Sequence, residues 1–166
     1  MSMETASAKN DSDASFKIRW AYRQEWESAM AFVWKAFLES EGSKCTQEGK
    51  DRFYSFIWGI DLKETYLKGE YPVMLAVEKD TIVGIASVRY HNHLSLLFVD
   101  RCRRGKGIGR ALMTAAIQYV RDAGERYMSL QAASDAVNFY RKFGFRVIRP
   151  EEEFSGIKVT CMEKFF

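Results

Sequence analysis

The sequence is poor in metal- and redox-type residues. It holds 3 cysteines, Cys45, Cys102 and Cys161, and 2 histidines, His91 and His93, in 166 residues. The cysteines are odd in number, no C-x-x-C pair occurs, and no Cys/His spacing suits zinc. A disulfide framework and a structural metal site are therefore disfavoured, and no metal is expected. Free thiols fit a reducing cytoplasm, the expected location. No run approaches about 18 consecutive apolar residues, so no membrane-spanning helix is expected. The opening stretch "MSMETASAKNDSDAS" has no apolar core and does not read as a secretory signal. Residues 1–15 are expected to be a disordered tail ahead of a single domain over 16–166. Neither sign of charge dominates: 25 basic residues face 22 acidic ones, for a net +3. That balance argues against whole-surface binding of nucleic acid. What is present, 47% hydrophobic residues with 12 Phe, 8 Tyr and 4 Trp, is ample for one packed core.

Periodicity divides the chain. "FKIRWA" (residues 16–21) alternates as a strand does, and Trp26, Ala29, Met30, Val33, Trp34 and Phe37 form a helical stripe. A second helical region starts near Thr46, falters at Gly59 and stops at Tyr71-Pro72. "VMLAVE" and "TIVGIASVRY" follow as strands joined at Lys79-Asp80, then "HLSLLFVD". A helix opens after the glycines and ends at Gly124. "RYMSLQA" is a strand. "SDAVNFYRKFG" is a helix with Ser134 or Asp135 as its N-cap, and "FRVIRP" and "GIKVTCMEKFF" are closing strands. Three successive strands followed by alternation imply a mixed sheet covered by helices.

The chemistry concentrates in "LLFVDRCRRGKGIGRALM" (residues 96–113), where three alternating glycines stand among cations as a strand becomes a helix. A helix N-terminus offers unpaired N–H groups and partial positive charge. Glycine at 105, 107 and 109 lets an anion approach the backbone, and Arg104, Lys106 and Arg110 add charge. The nucleotide-hydrolase loop needs Ser or Thr where Gly107 stands, and the dinucleotide fingerprint needs glycine where Arg110 stands, so both fail.

Arg104-Gly105-Lys106-Gly107-Ile108-Gly109 resembles the R-x-x-G-x-G/A signature of the GNAT N-acetyltransferase superfamily, and "NFYRKFGF" resembles its next motif block. The resemblance implies an α/β GNAT fold: a mixed, mostly antiparallel sheet of about seven strands with helices on both faces. It implies acetyl-CoA as co-substrate, its pyrophosphate on residues Arg104 to Arg110 and its pantetheine arm along Leu97, Phe98 and Val99. An N–H near Val99 would polarise the thioester, provided the strand parts from "YMSLQA". Tyr140 matches the tyrosine that protonates the leaving thiolate, and Asn138 a cofactor-contacting asparagine. Packing on the core is the alternative for Tyr140, because Ala136, Phe139, Tyr140 and Phe143 share helical spacing.

Many relatives carry a glutamate base early on the cofactor strand, which here has no carboxylate before Asp100. His93 takes that place as candidate base, with Glu25, Glu39 and Glu41 as others. Simple alternation puts His93, Ser95, Leu97 and Val99 on one face. The expected acceptor is a primary amine: a small amine, an amino acid or a peptide. The competing readings are a non-catalytic acyl-CoA-binding module and a polyanion binder using Arg101, Arg103, Arg104, Lys106 and Arg110. A second copy of the chain is a candidate partner; membrane and nucleic acid are not.

Overall fold

A computed structural model describes residues 15–166. The expected tail falls almost wholly outside the described residues. The elements run β1 (Lys17–Trp20), α1 (Trp26–Glu41), α2 (Gln47–Trp58), α3 (Ile60–Leu67), β2 (Val73–Glu78), β3 (Thr81–Arg89) and β4 (His93–Val99). They continue as α4 (Ile108–Asp122), β5 (Tyr127–Ala132), α5 (Val137–Arg141), β6 (Arg146–Val147), β7 (Glu152–Phe154) and β8 (Ile157–Phe165). Short single-turn helices precede α1, α4 and α5.

The sheet order is β1-β2-β3-β4-β5-β8-β6, with β7 paired to β8 alone. Every pairing is antiparallel except β4 with β5. Two apolar cores lie against the sheet. One packs Leu112, Met113 and Ala116 of α4 and Tyr140 of α5 onto Met74, Ala86 and Leu130. The other packs Trp26, Met30 and Val33 of α1 and Ile57 of α2 onto Leu75, Ile85 and Leu96. The helical stripes read from the sequence are these buried faces, because residues three and four apart share one side of a helix.

Local signals set several boundaries. Thr46 caps α2 through Oγ1, which accepts from the Gly49 N–H at 3.1 Å. The chain breaks at Gly59, where ψ is 142°, and α3 restarts it. Lys79 and Asp80 both take positive φ in the β2–β3 turn, which suits the tight hairpin expected there. Gly124 (φ +81°) follows α4, where its N–H donates to Arg121 O at 2.9 Å and that of Glu125 to Val120 O.

Three expectations are corrected. α5 is shorter than its periodicity suggests and has no side-chain cap. The Ser134 hydroxyl donates to Glu151 instead, and the Asp135 carboxylate pairs with Lys44. "FRVIRP" pairs over two residues only, Arg146 with Glu163 and Val147 with Met162, on the edge of β8 opposite β5. β7, unforeseen, folds back on the start of β8 as a hairpin.

Candidate active site

β4 and β5 run together only at His93↔Ser129 and Leu94↔Leu130. Beyond Leu94 they part, leaving the edge of β4 from Ser95 to Val99 without a strand partner on that side. The Asp100 N–H donates to Val83 O on β3 at 2.8 Å. Main-chain groups alternate sides along a strand, so those of Val99 and Leu97 turn into the gap and those of Phe98 turn to β3. The parting foreseen for this strand is thus present. Phe98, expected to pair through its backbone, instead contributes its ring, 6.1 Å from that of Phe53.

A bulge alters the faces of β4. Ser87 pairs with Leu96 and Val88 with Leu94, so Ser95 is the extra residue. Leu94, Leu97 and Val99 therefore pack on the α4 side, and Leu96 and Phe98 on the α1 side. The expectation that His93, Ser95, Leu97 and Val99 share one face fails for this reason. His93, next to Leu94, turns towards α1 and α2. Its Nδ1 lies 2.8 Å from Ser129 Oγ, and Ser129 sits between Met128 and Leu130, both in the α4-side core. The Ser95 hydroxyl is held at 2.9 Å by that of Tyr71, which is fully buried.

The gap opens onto the glycine loop. Gly105 and Gly107 take φ of +79° and +84°, and a Cβ at either would meet no protein atom within 4 Å. Their requirement is conformational, and the space before them is free for a ligand. Gly109 differs. It sits in α4, and a Cβ there would make ordinary contacts of 3.6 Å with Phe139 and Val99. Within the fold, then, Gly109 is not required. The first helical bond of α4 runs from the Ala111 N–H to Gly107 O, so the N–H groups of Ile108, Gly109 and Arg110 find no partner in the helix.

The cations divide in two. Arg103 is spent on the scaffold: Nε meets Glu78 at 3.0 Å and a terminal nitrogen meets Asp100 at 3.2 Å. Arg104, Lys106 and Arg110 are exposed and make no ion pair among the described residues. Such an arrangement receives a phosphate or pyrophosphate: oriented amides, a helix N-terminus, and three uncommitted positive charges.

Gap and loop form one cavity of about 640 Å³. Of the residues singled out in the sequence, His93, Leu97, Phe98, Val99, Arg104, Gly105, Gly107, Ile108, Gly109, Arg110 and Tyr140 border it. Lys106 and Asn138 do not; Asn138 is exposed and accepts a hydrogen bond from Arg141 at 3.2 Å. Tyr140 belongs to the α4-side core, so its packing role is real. It nonetheless borders the cavity, and its hydroxyl makes no hydrogen bond among the described residues. Burial raises its pKa well above the ordinary phenol range. Burial, and secondarily the charge of Arg89, lowers that of His93. The phenol therefore keeps its proton at neutral pH while the imidazole is largely free of one.

Phe37, Phe53, Glu41 and Gln131 also border the cavity. Glu41 stood among the candidate bases read from the sequence. Ser129 left no signal, because a serine between Met128 and Leu130 is what any half-exposed strand shows. Among the described residues no group of three or more His, Cys, Asp or Glu is placed to hold a metal, and no helix is long and apolar enough to cross a membrane.

Comparison with known proteins agrees with this geometry. A Bacillus subtilis (strain 168) protein classed provisionally as an acetyltransferase is 29% identical over 101 residues, 59% of this chain and 69% of its own. The solved GCN5-related N-acetyltransferase of Rhodopseudomonas palustris superposes with a TM-score of 0.78 at 18% identity, over 92% of this chain and 97% of that one. The PaiA N-acetyltransferase of Thermoplasma acidophilum, solved in complex with coenzyme A, gives 0.74 at 17% identity, over 92% and 99%. The model of the acetyltransferase (GNAT) domain matches residues 41–166, and the chain belongs to that family of acetyl-CoA-dependent N-acetyltransferases.

Proposed function

We propose that this enzyme moves the acetyl group of acetyl-CoA to a primary amine by direct attack, with no acyl-enzyme. The observation that carries the reading is the parting of β4 from β5 just where β4 runs into the glycine loop. The pyrophosphate sits on the amides of Ile108 to Arg110, with Arg104 and Arg110 beside it and Lys106 at longer range. The pantetheine arm adds to β4 as a short strand against Leu97 and Val99, and the Val99 N–H polarises the thioester carbonyl.

The acid and base then stand on opposite faces of the sheet, reaching the thioester through the gap. The amine approaches from the α1–α2 face and gives its proton to His93 Nε2, since Nδ1 is engaged with Ser129. A C–N bond forms as the C–S bond breaks, and the departing thiolate takes the Tyr140 proton. Solvent restores that proton and takes the one held by His93, leaving the amide and the free CoA thiol.

The test pairs two measurements on the full chain. Calorimetry reports binding of acetyl-CoA, and a panel of primary amines is assayed for release of CoA thiol. Binding with turnover of at least one amine is expected. Binding without any turnover would make the chain an acyl-CoA-binding module, and no binding would remove the reading altogether.

A further inference from the structure

We propose that the Ser95 hydroxyl oxygen accepts a hydrogen bond from the attacking amine, and that Tyr71, through its own hydroxyl, holds Ser95 in place for that task. The inference rests on the acetyl-transfer reading above and adds two side chains to it. Ser95 touches the acceptor, and Tyr71 is a positioning residue.

A neutral primary amine carries two N–H groups. One proton goes to His93 as the C–N bond forms, and the other stays on nitrogen in the amide product. Against an apolar wall that second N–H loses its water and needs an acceptor. The acceptor side of the cavity is walled in this way by the rings of Phe37, Phe53 and Phe98. Along β4, the stretch between His93 and the proposed pantetheine contact at Leu97 reads Leu94, Ser95, Leu96. Ser95 is its one polar side chain, and it borders the cavity.

The fold aims that side chain at the acceptor. Ser95 is the extra residue of the bulge in β4. Its neighbour Leu96 and its hydroxyl partner Tyr71 both belong to the α1-side core, the side from which the amine arrives. Ser95 itself is only partly buried. Tyr71 is fully buried, lies edge-on to the Trp26 ring at 6.2 Å and is followed by Pro72, so it is a fixed anchor. A serine hydroxyl has one proton and two lone pairs, and the 2.9 Å bond to Tyr71 engages one of these three. Whichever hydroxyl donates, at least one lone pair of Ser95 is left for the cavity. An N–H of the amine completes it, and the nitrogen lone pair is thereby turned towards the thioester.

The test crosses wild type and Ser95→Ala with two acceptors: the primary amine that the panel assay turns over fastest, and its N-methyl derivative. The secondary amine gives its single N–H to His93 and has none for Ser95. Ser95→Ala is expected to lose about tenfold in kcat/KM on the primary amine, the scale of one hydrogen bond, and nothing on the N-methyl one, with acetyl-CoA affinity unchanged. Tyr71→Phe is expected to show part of the same loss. The double variant Tyr71→Phe/Ser95→Ala should lose no more than Ser95→Ala alone, because Tyr71 acts only through Ser95. It also serves if Ser95→Ala melts early, since removing both hydroxyls leaves neither unpaired. Where the N-methyl derivative is too slow to measure, Ser95→Thr decides: it keeps the hydroxyl and is expected to keep the rate. Equal losses on both acceptors, or in Thr and Ala variants alike, would overturn the inference and make Ser95 a packing residue of the bulge. So would an unchanged kcat/KM, and so would weakened acetyl-CoA binding, which puts Ser95 on the cofactor's side. Additive losses in the double variant would overturn the part given to Tyr71. If wild type binds acetyl-CoA and turns over no amine, it is the transfer reading that fails, and this one falls with it.

Discussion

Burial acts on His93 and Tyr140, the proposed base and acid, in opposite directions. The imidazole is pushed below its ordinary range, so it is a free base at neutral pH. kcat/KM is expected to fall only when the pH drops below about 6.5, the range of a free imidazole. A pH profile of wild type against His93→Gln checks this, and an acid limb unchanged in the variant assigns that limb elsewhere. The same shift has a consequence for stability. The unfolded chain binds this proton more tightly than the folded one, so stability declines as pH falls through the window from about 6.5 down to the lowered value, and recovers as it rises. Tyr140 gives the second prediction. Tyr140→Phe removes a hydroxyl with no hydrogen bond among the described residues, so Tm should scarcely move. Turnover should fall by about a hundredfold, the low end of what general acids contribute, with acetyl-CoA affinity kept. Stopped-flow turnover beside calorimetry measures both. Both residues were singled out in the sequence, Tyr140 by the motif and His93 by the lack of a carboxylate on β4, and both border the cavity. Their placement on opposite faces was not, because a bulge at Ser95 reverses the alternation and a serine between leucines does not announce one.

Among the elements, the strand–loop–helix from β4 to α4 is where sequence and structure agree most closely. Its pattern is local: an apolar run, positive-φ glycines and an amphipathic helix are each set by near neighbours. Even so, the three glycines are not equivalent. Gly107→Ala should cost about 1–2 kcal/mol, because φ of +84° is costly for any residue with a Cβ. Since no protein atom lies within 4 Å of that Cβ, a further loss of acetyl-CoA affinity would come from the ligand itself. Gly109→Ala makes only ordinary contacts inside a helix and should be neutral or stabilising, with binding retained. Thermal melts with and without acetyl-CoA separate the two substitutions. Equal loss of binding in both would mean that the anion sits further along α4. Where elements depend on distant partners, reading by periodicity was weaker. "FRVIRP" has the composition of a strand, but β8 offers it only Glu163 and Met162.

At the scale of the molecule, the two cores on either side of the sheet follow from the order of elements, while the closure of the cavity does not. That closure is made between segments about a hundred residues apart. The Thr46 N–H donates to Gly156 O at 3.1 Å, and Lys44 reaches Asp135 at 2.8 Å. The loop between α1 and α2 is thereby tied to the tip of the β7–β8 hairpin on one side and to the turn after β5 on the other. The Lys44–Asp135 pair is exposed and contributes little. The hairpin contact is a steric fit: Gly49 and Gly156 pack backbone to backbone, and a Cβ at Gly156 would strike Thr46 Oγ1 and approach Gly49 N to 2.9 Å. Gly156 also takes φ of +89°. Gly156→Ala should therefore cost about 2–4 kcal/mol, combining the backbone term with overpacking. Gly124→Ala is the matched control, since it carries φ of +81° in open space and should cost about 1–2 kcal/mol. Both variants lower Tm, but only one of them loosens the wall formed by Ile157, Lys158 and Val159. Gly156→Ala is expected to raise the acceptor KM severalfold while Gly124→Ala leaves it alone, with acetyl-CoA affinity similar in both. A Gly156→Ala enzyme with wild-type acceptor KM would show that the hairpin stabilises the fold without shaping the side from which the amine arrives.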